Sequence, residues 1–129
     1  MTKRFEIYKC DICGNVIEII SEGAGELVCC GEIMELLEPK KEDIMKEKHK
    51  PVLTIIDKDV TIKIGEIPHP MTPEHHIEFI EAISLDGKYL KRKYLNIGES
   101  AELKFVCNSD TMKARELCNI HGLWETIKE

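Results

Sequence analysis

Four cysteines within the first 37 residues, arranged as Cys10-x2-Cys13 and an adjacent pair Cys29-Cys30, constrain this chain more than any other feature. A segment of that length cannot bury enough apolar surface to fold unaided, so a metal or a partner subunit must help hold it. Cys10 and Cys13 place two sulfurs on one tight turn, and Asp11, Ile12 and Gly14 leave room for backbone amides to face them. Cys29-Cys30 is less ordinary, because neighbouring side chains of an extended backbone point to opposite sides. Both sulfurs reach one ion only where the backbone twists, so a distorted tetrahedron is expected. Four thiolates without a histidine suit zinc or a single iron, and spacing alone does not choose between them.

A change of character near Glu38-Pro39-Lys40-Lys41 divides the chain into residues 1–37 and 38–129. Before it, short strand-like pieces at 5–9, 15–20 and 33–37 are separated by turns at Gly14 and Gly23-Ala24-Gly25. After it, the signals are again β. Runs at 52–56 and 60–64 are rich in β-branched residues and flank Asp57-Lys58-Asp59. Residues 77–85 and 88–95 flank Asp86-Gly87, which predicts a two-residue hairpin because Gly accepts positive φ. Further strands are expected at 101–106 and 123–127, and a helical turn at 108–116. Strands at this spacing predict an all-β chain whose larger part is a β-sandwich.

Charge and composition exclude several classes of function. The net charge of −6 argues against general nucleic-acid binding. No apolar run reaches membrane-spanning length, and Met1-Thr2-Lys3-Arg4 precedes no signal-type apolar core, so a cytoplasmic protein is expected. In a reducing compartment the six cysteines are read as ligands rather than disulfides. Residues 1–37 carry three basic and seven acidic residues, whereas 40–50 hold five lysines and three acids. That local excess is a solvated lysine-rich linker, or else a patch that draws in a small anion.

A second constellation lies in the larger part. His49 sits in Glu47-Lys48-His49-Lys50-Pro51, His69 in Pro68-His69-Pro70-Met71, and His75-His76 follow Glu74. Cys118-Asn119-Ile120-His121-Gly122 places a thiol and an imidazole three positions apart. One soft thiolate with several imidazoles suits iron or copper better than a closed structural zinc site. A blue-copper site normally adds a weak axial Met after its last histidine, and none follows His121. His75 and His76 are adjacent at a strand start, so only one of them is expected to ligate. Cys107 is read as a small buried hydrophobe, and Trp124 as packing beside the site.

Taken together, these motifs resemble the two-domain desulfoferrodoxin type of superoxide reductase. The resemblance rests on Cys10-x2-Cys13 with Cys29-Cys30, Glu47-Lys48-His49-x-Pro51, His69-Pro70-Met71-x3-His75 and Cys118-Asn119-x-His121-Gly122, and it spans the chain. It implies a desulforedoxin-like domain over 1–37, binding iron through Cys10, Cys13, Cys29 and Cys30 and helping to form a homodimer. Zinc is the other candidate at that centre. It implies an immunoglobulin-like β-sandwich over 38–129, holding a second iron. The implied equatorial ligands are His49, His69, His75 and His121, and the implied axial ligand is Cys118. Glu47 is implied to fill the sixth position in the resting oxidised state, and Lys48 to attract superoxide. Where the family pattern has an aromatic residue, this chain has His76, which leaves His76 near the site rather than in it.

The activity so implied is one-electron reduction of superoxide to hydrogen peroxide, with a rubredoxin-like protein as electron donor. Two readings of other classes stand beside it: a two-iron electron carrier without its own substrate, and a zinc-stapled interaction module. A displaceable ligand position distinguishes the first from an enzyme, and the identity of the metals distinguishes the second.

Overall fold

The computed structural model describes residues 1–42, 49–65 and 67–129, which fall into two compact units, Met1–Glu38 and Pro39–Glu129. No helix occurs among the described residues, and none is long and apolar enough to cross a membrane.

The first unit is built from very short strands. β1 (Ile7–Lys9) lies between β2 (Val16–Glu18) and β5 (Glu35–Leu36), both antiparallel to it. β3 (Val28–Cys29) and β4 (Glu32–Ile33) form a separate hairpin. Its buried apolar set is small: Ile7, Cys10, Ile19 and Met34. So little apolar surface agrees with a unit that needs an additional cross-link.

The second unit is a seven-stranded antiparallel sandwich. One sheet has the order β10 (Glu102–Val106), β7 (Asp59–Ile64), β6 (Pro51–Ile56). The other has the order β12 (Gly122–Lys128), β11 (Met112–Cys118), β8 (Ile77–Ile83), β9 (Leu90–Tyr94). This four-plus-three division is that of an immunoglobulin-like sandwich. Alternate residues meet between the sheets, with Val60, Ile62, Ile64 and Leu103 facing Ile77, Ile80, Ala82, Met112 and Ala114. At about 25 cal/mol per Å2 of apolar area, each such large side chain contributes roughly 1.5–3 kcal/mol.

Two local expectations are corrected. Residues 108–116 hold no helical turn, because Met112–Cys118 is a strand paired on both edges, to β12 and to β8. Asp86-Gly87 is not a two-residue hairpin either. The ladder closes at Ile83↔Leu90, and a wider loop is tied by Ser84 N–H to Tyr89 O (3.0 Å), Gly87 N–H to Ser84 O (2.9 Å) and Lys88 N–H to Asp86 Oδ1 (3.0 Å). Gly87 does supply the positive φ, +75°. Ser84 and Asp86 provide side-chain bonds that favour the longer loop.

Antiparallel topology decides where function collects. The start of β6, the end of β7, the start of β8, the end of β11 and the start of β12 all lie at one end of the sandwich. His49 lies two residues before β6, the loop after β7 carries His69 and His75, Cys118 ends β11, and the β11–β12 turn carries His121.

Candidate metal centres

In the first unit, Cys10, Cys13, Cys29 and Cys30 bring their sulfurs within 4.8 Å of one another. The Cys10–Cys13 turn is closed by Gly14 N–H to Cys10 O (3.0 Å), with Gly14 at φ +84°. Cys13 N–H points at Cys10 Sγ from 3.5 Å. The twist expected at the adjacent pair is present. Cys30 takes φ +54° and Gly31 φ +77°, so the sulfurs of Cys29 and Cys30 come to 3.9 Å instead of diverging. Cys29 Sγ lies 3.5 Å from Cys13 Sγ.

Crowding divides the thiols. The backbone N–H of Cys13 draws Cys10 down to about 7, whereas contact with the sulfurs of Cys13 and Cys29 pushes Cys30 up to about 12. Cys29 is raised as well, first by Cys13. Four thiolates this close repel one another unless a cation sits among them, and that is the charge logic of a four-cysteine metal site.

In the second unit, one donor atom each from His49, His75, Cys118 and His121 lies within 4.8 Å of the others. His69 adjoins them, with its ring centroid 4.9 Å from that of His49 and 4.6 Å from that of His75. His49 Nε2 and His121 Nδ1 face each other at 2.8 Å. Cys118 Sγ is 3.8 Å from His121 Nδ1 and accepts the N–H of His121 at 3.4 Å. A β-bulge where the β11–β8 pairing shifts, between Leu117 and Cys118, re-aims the thiol at the end of its strand.

The donors are set for metal rather than for protons. His69 Nδ1 is held at 2.7 Å from Pro70 O, which assigns the proton to Nδ1 and leaves Nε2 as a lone pair. That Nε2 is buried and has no hydrogen-bond partner among the described residues. Burial drives the His69 pKa down to about 4, and the neighbouring imidazoles push the same way. Burial likewise raises the Cys118 thiol, partly offset by the N–H groups of His121 and Ile120. A buried neutral imidazole with an inward lone pair beside a buried thiol costs free energy that a bound cation recovers. The residues fit such an ion.

The remaining sequence expectations separate cleanly. His76 is directed away from the cluster, with its Nδ1 at 3.0 Å from Thr72 O. Cys107 packs against the sandwich core and is half-buried. Glu47 and Lys48 lie outside the described residues.

Three residues with no assigned chemistry in the sequence surround the cluster. Asn119 joins two ligand loops: it accepts His76 N–H at Oδ1 (2.8 Å), donates Nδ2–H to Glu74 O (3.0 Å) and donates its own N–H to His76 O (3.1 Å). Trp124 lies flat against His49, with centroids 4.9 Å apart and planes inclined by 16°. Lys40 donates Nζ–H to His121 O at 2.8 Å. The position of Asn119 between Cys118 and His121 was a usable sequence signal. Trp124 was readable as packing beside the site but not as the surface under His49, and Lys40 left no signal, since these contacts exist only in the folded chain.

Known proteins match over the same two units. The family model described as "Desulfoferrodoxin, N-terminal domain" covers residues 2–37, and that described as "Desulfoferrodoxin" covers 41–127. A desulfoferrodoxin homologue of Archaeoglobus fulgidus is 44% identical over 126 residues, covering 98% of this chain and 99% of that one. Another, from Methanothermobacter thermautotrophicus, is 46% identical over 126 residues and covers 96% and 99%. Among solved structures, the superoxide reductase of Treponema pallidum superposes with a TM-score of 0.75 at 27% identity, covering 94% of this chain and 96% of that one. With both domains matched and relatives aligned end to end, this chain belongs to the desulfoferrodoxin family.

Proposed function

We infer that this protein is a superoxide reductase carrying two iron ions, one in each unit. The observation that carries the reading is the convergence of His49, His75, Cys118 and His121 within 4.8 Å, with the lone pair of buried His69 beside them. One thiolate among imidazoles is a donor set for redox iron, and a closed structural zinc site would use a different one. The ligands assigned to the catalytic iron are His49, His69, His75, Cys118 and His121. Cys10, Cys13, Cys29 and Cys30 hold the other.

Iron bound at the second unit supplies the single electron that turns superoxide, with two protons from solvent, into hydrogen peroxide. The protein's own groups prepare that step. Cys118 gives an anionic sulfur whose density raises the electron-donating power of the site, and the N–H of His121 holds that sulfur in place. The Pro70 carbonyl fixes the tautomer of His69, as outer partners of ligating histidines generally do. Lys48 draws the anion toward the centre, and Glu47 closes it in the resting oxidised state.

Three further assignments complete the reading. A rubredoxin-like one-electron carrier returns the enzyme to its reduced form. The protein is cytoplasmic. It is a homodimer formed through the small domain, whose exposed Ile12, Val28 and Ile33 offer apolar surface to a second copy.

The deciding experiment is product stoichiometry. The purified protein should contain iron and, when pre-reduced, form one peroxide per superoxide consumed with no oxygen released. Oxygen evolution with half that peroxide would identify a dismutase instead. Zinc at both centres in a colourless protein would remove the enzymatic reading altogether.

A further inference from the structure

We propose that Lys40 is a positioning residue of the histidine–cysteine centre, acting through His121 and Trp124 on two imidazoles whose donor nitrogens are neighbours in it. Lys40 is exposed, yet its ammonium is committed on two sides. It donates to His121 O at 2.8 Å and lies 5.2 Å from the centroid of the Trp124 ring. Those two contacts address two different ligands. The His121 peptide is the one whose N–H meets Cys118 Sγ at 3.4 Å and whose side chain presents Nδ1 to His49. The Trp124 ring is the plate on which His49 stacks. One cation thus ties the turn that carries His121 to the surface against which His49 rests.

The backbone places Lys40 there independently of its side chain. Lys40 N–H donates to Leu123 O and Glu125 N–H donates to Lys40 O, both at 2.9 Å, so residue 40 lies alongside β12 in a parallel bridge with Trp124. The turn it anchors is tight at Gly122, which has φ +85° and leaves Lys40 Nζ 3.9 Å from the site a Cβ would take. A charged donor on a carbonyl is among the stronger hydrogen bonds, and a cation over indole adds attraction. Removing both frees the turn and the plate together, without disturbing the ladder that holds the segment.

This inference rests on the reading of His49 and His121 as ligands of one ion, and cobalt(II) tests the two separately. The full-length protein is stripped of metal and titrated with cobalt(II) against a competing chelator. The single-thiolate centre is followed by its own absorption bands, apart from those of the four-thiolate centre. If the wild type shows no single-thiolate spectrum, the ligand reading fails and this inference with it. With that spectrum present, K40M should bind cobalt there about tenfold more weakly, the lower end for loss of an outer partner, and shift its sulfur-to-cobalt band. K40R, which keeps a cationic donor, should restore both. Emission from Trp124, the only tryptophan of the chain, should change in K40M and return in K40R. The thermal midpoint should be the same in all three proteins. Equal cobalt affinity and identical bands in K40M and wild type would overturn the role of Lys40, as would a K40R protein indistinguishable from K40M.

Discussion

At the residue scale, Cys118 carries the sharpest consequence. It is buried, its thiol is raised by that burial, and the N–H of His121 reaches it. Cys118→Ser should abolish the sulfur-to-iron charge-transfer absorption of the oxidised protein and leave the absorption of the four-cysteine iron intact. Visible spectra of the two proteins decide it, and a surviving band would reassign the sulfur ligand. The candidate ligands were legible in the sequence because cysteine and histidine are scarce and their chemistry is specific. Their helpers were less so, with Trp124 readable as packing beside the site and Lys40 not at all. Lys40 acts on a carbonyl 81 positions away, and Trp124 acts through a ring that stacks only after β12 has paired. Neither residue type announces such a role, since a lysine is ordinarily a solvated charge and a tryptophan ordinarily core. The adjacent Cys29 and Cys30 show an intermediate case. The need for a twist was readable, but the φ of +54° at Cys30 that provides it was not.

At the element scale, the four-stranded sheet is pinned by charges lying in register. Glu81 on β8 stands opposite Arg115 on β11 and Arg92 on β9. Its carboxylate is fully buried and accepts Arg115 Nη2 at 3.0 Å and Arg92 Nη2 at 2.8 Å. Glu81→Ala removes the buried carboxylate that two guanidinium groups share on one sheet face. Removal of one partner from a buried ionic set costs about 3–5 kcal/mol. Calorimetry should therefore show the melting of the sandwich lowered by about 10 °C or more, and a change of only a degree or two would mean that the arginines are satisfied elsewhere. The same sheet shows why element type was only partly readable. β6 and β7 are rich in β-branched residues and declare themselves. β11 reads Met-Lys-Ala-Arg-Glu-Leu-Cys, six good helix formers and a cysteine with no β-branched member. It is a strand because β8 and β12 offer it hydrogen bonds on both edges, a tertiary condition that outweighs local preference.

At the scale of the whole molecule, the two units differ in what sustains them. The sandwich has a continuous apolar core, whereas the apolar residues buried in the first unit are only Ile7, Cys10, Ile19 and Met34. Metal binding should therefore be folding free energy for the first unit and less so for the second. In Cys13→Ser, or after chelation, amides of the β1–β2 and β1–β5 pairs should lose protection from hydrogen exchange while those of the β8–β11 ladder keep it. Protected N-terminal amides in the metal-free protein would show that the small core suffices. The sequence by itself determined the kinds of chemistry available: four sulfurs in a segment too small to stand alone, and one thiol with several imidazoles in a segment large enough to build a sandwich. Those are properties of residue type and chain length, and they survive without coordinates. The resemblance named a ligand set, but only the tertiary structure decided how these residues come to meet. Antiparallel pairing carries the start of β6, the loop after β7 and the β11–β12 turn to a single end of the sandwich, so His49, His69, His75, Cys118 and His121 become neighbours across up to 72 positions of chain. It sends His76 the other way and brings Lys40 and Trp124 against the ligands, because contact depends on which strands share hydrogen bonds, and a linear sequence does not state that.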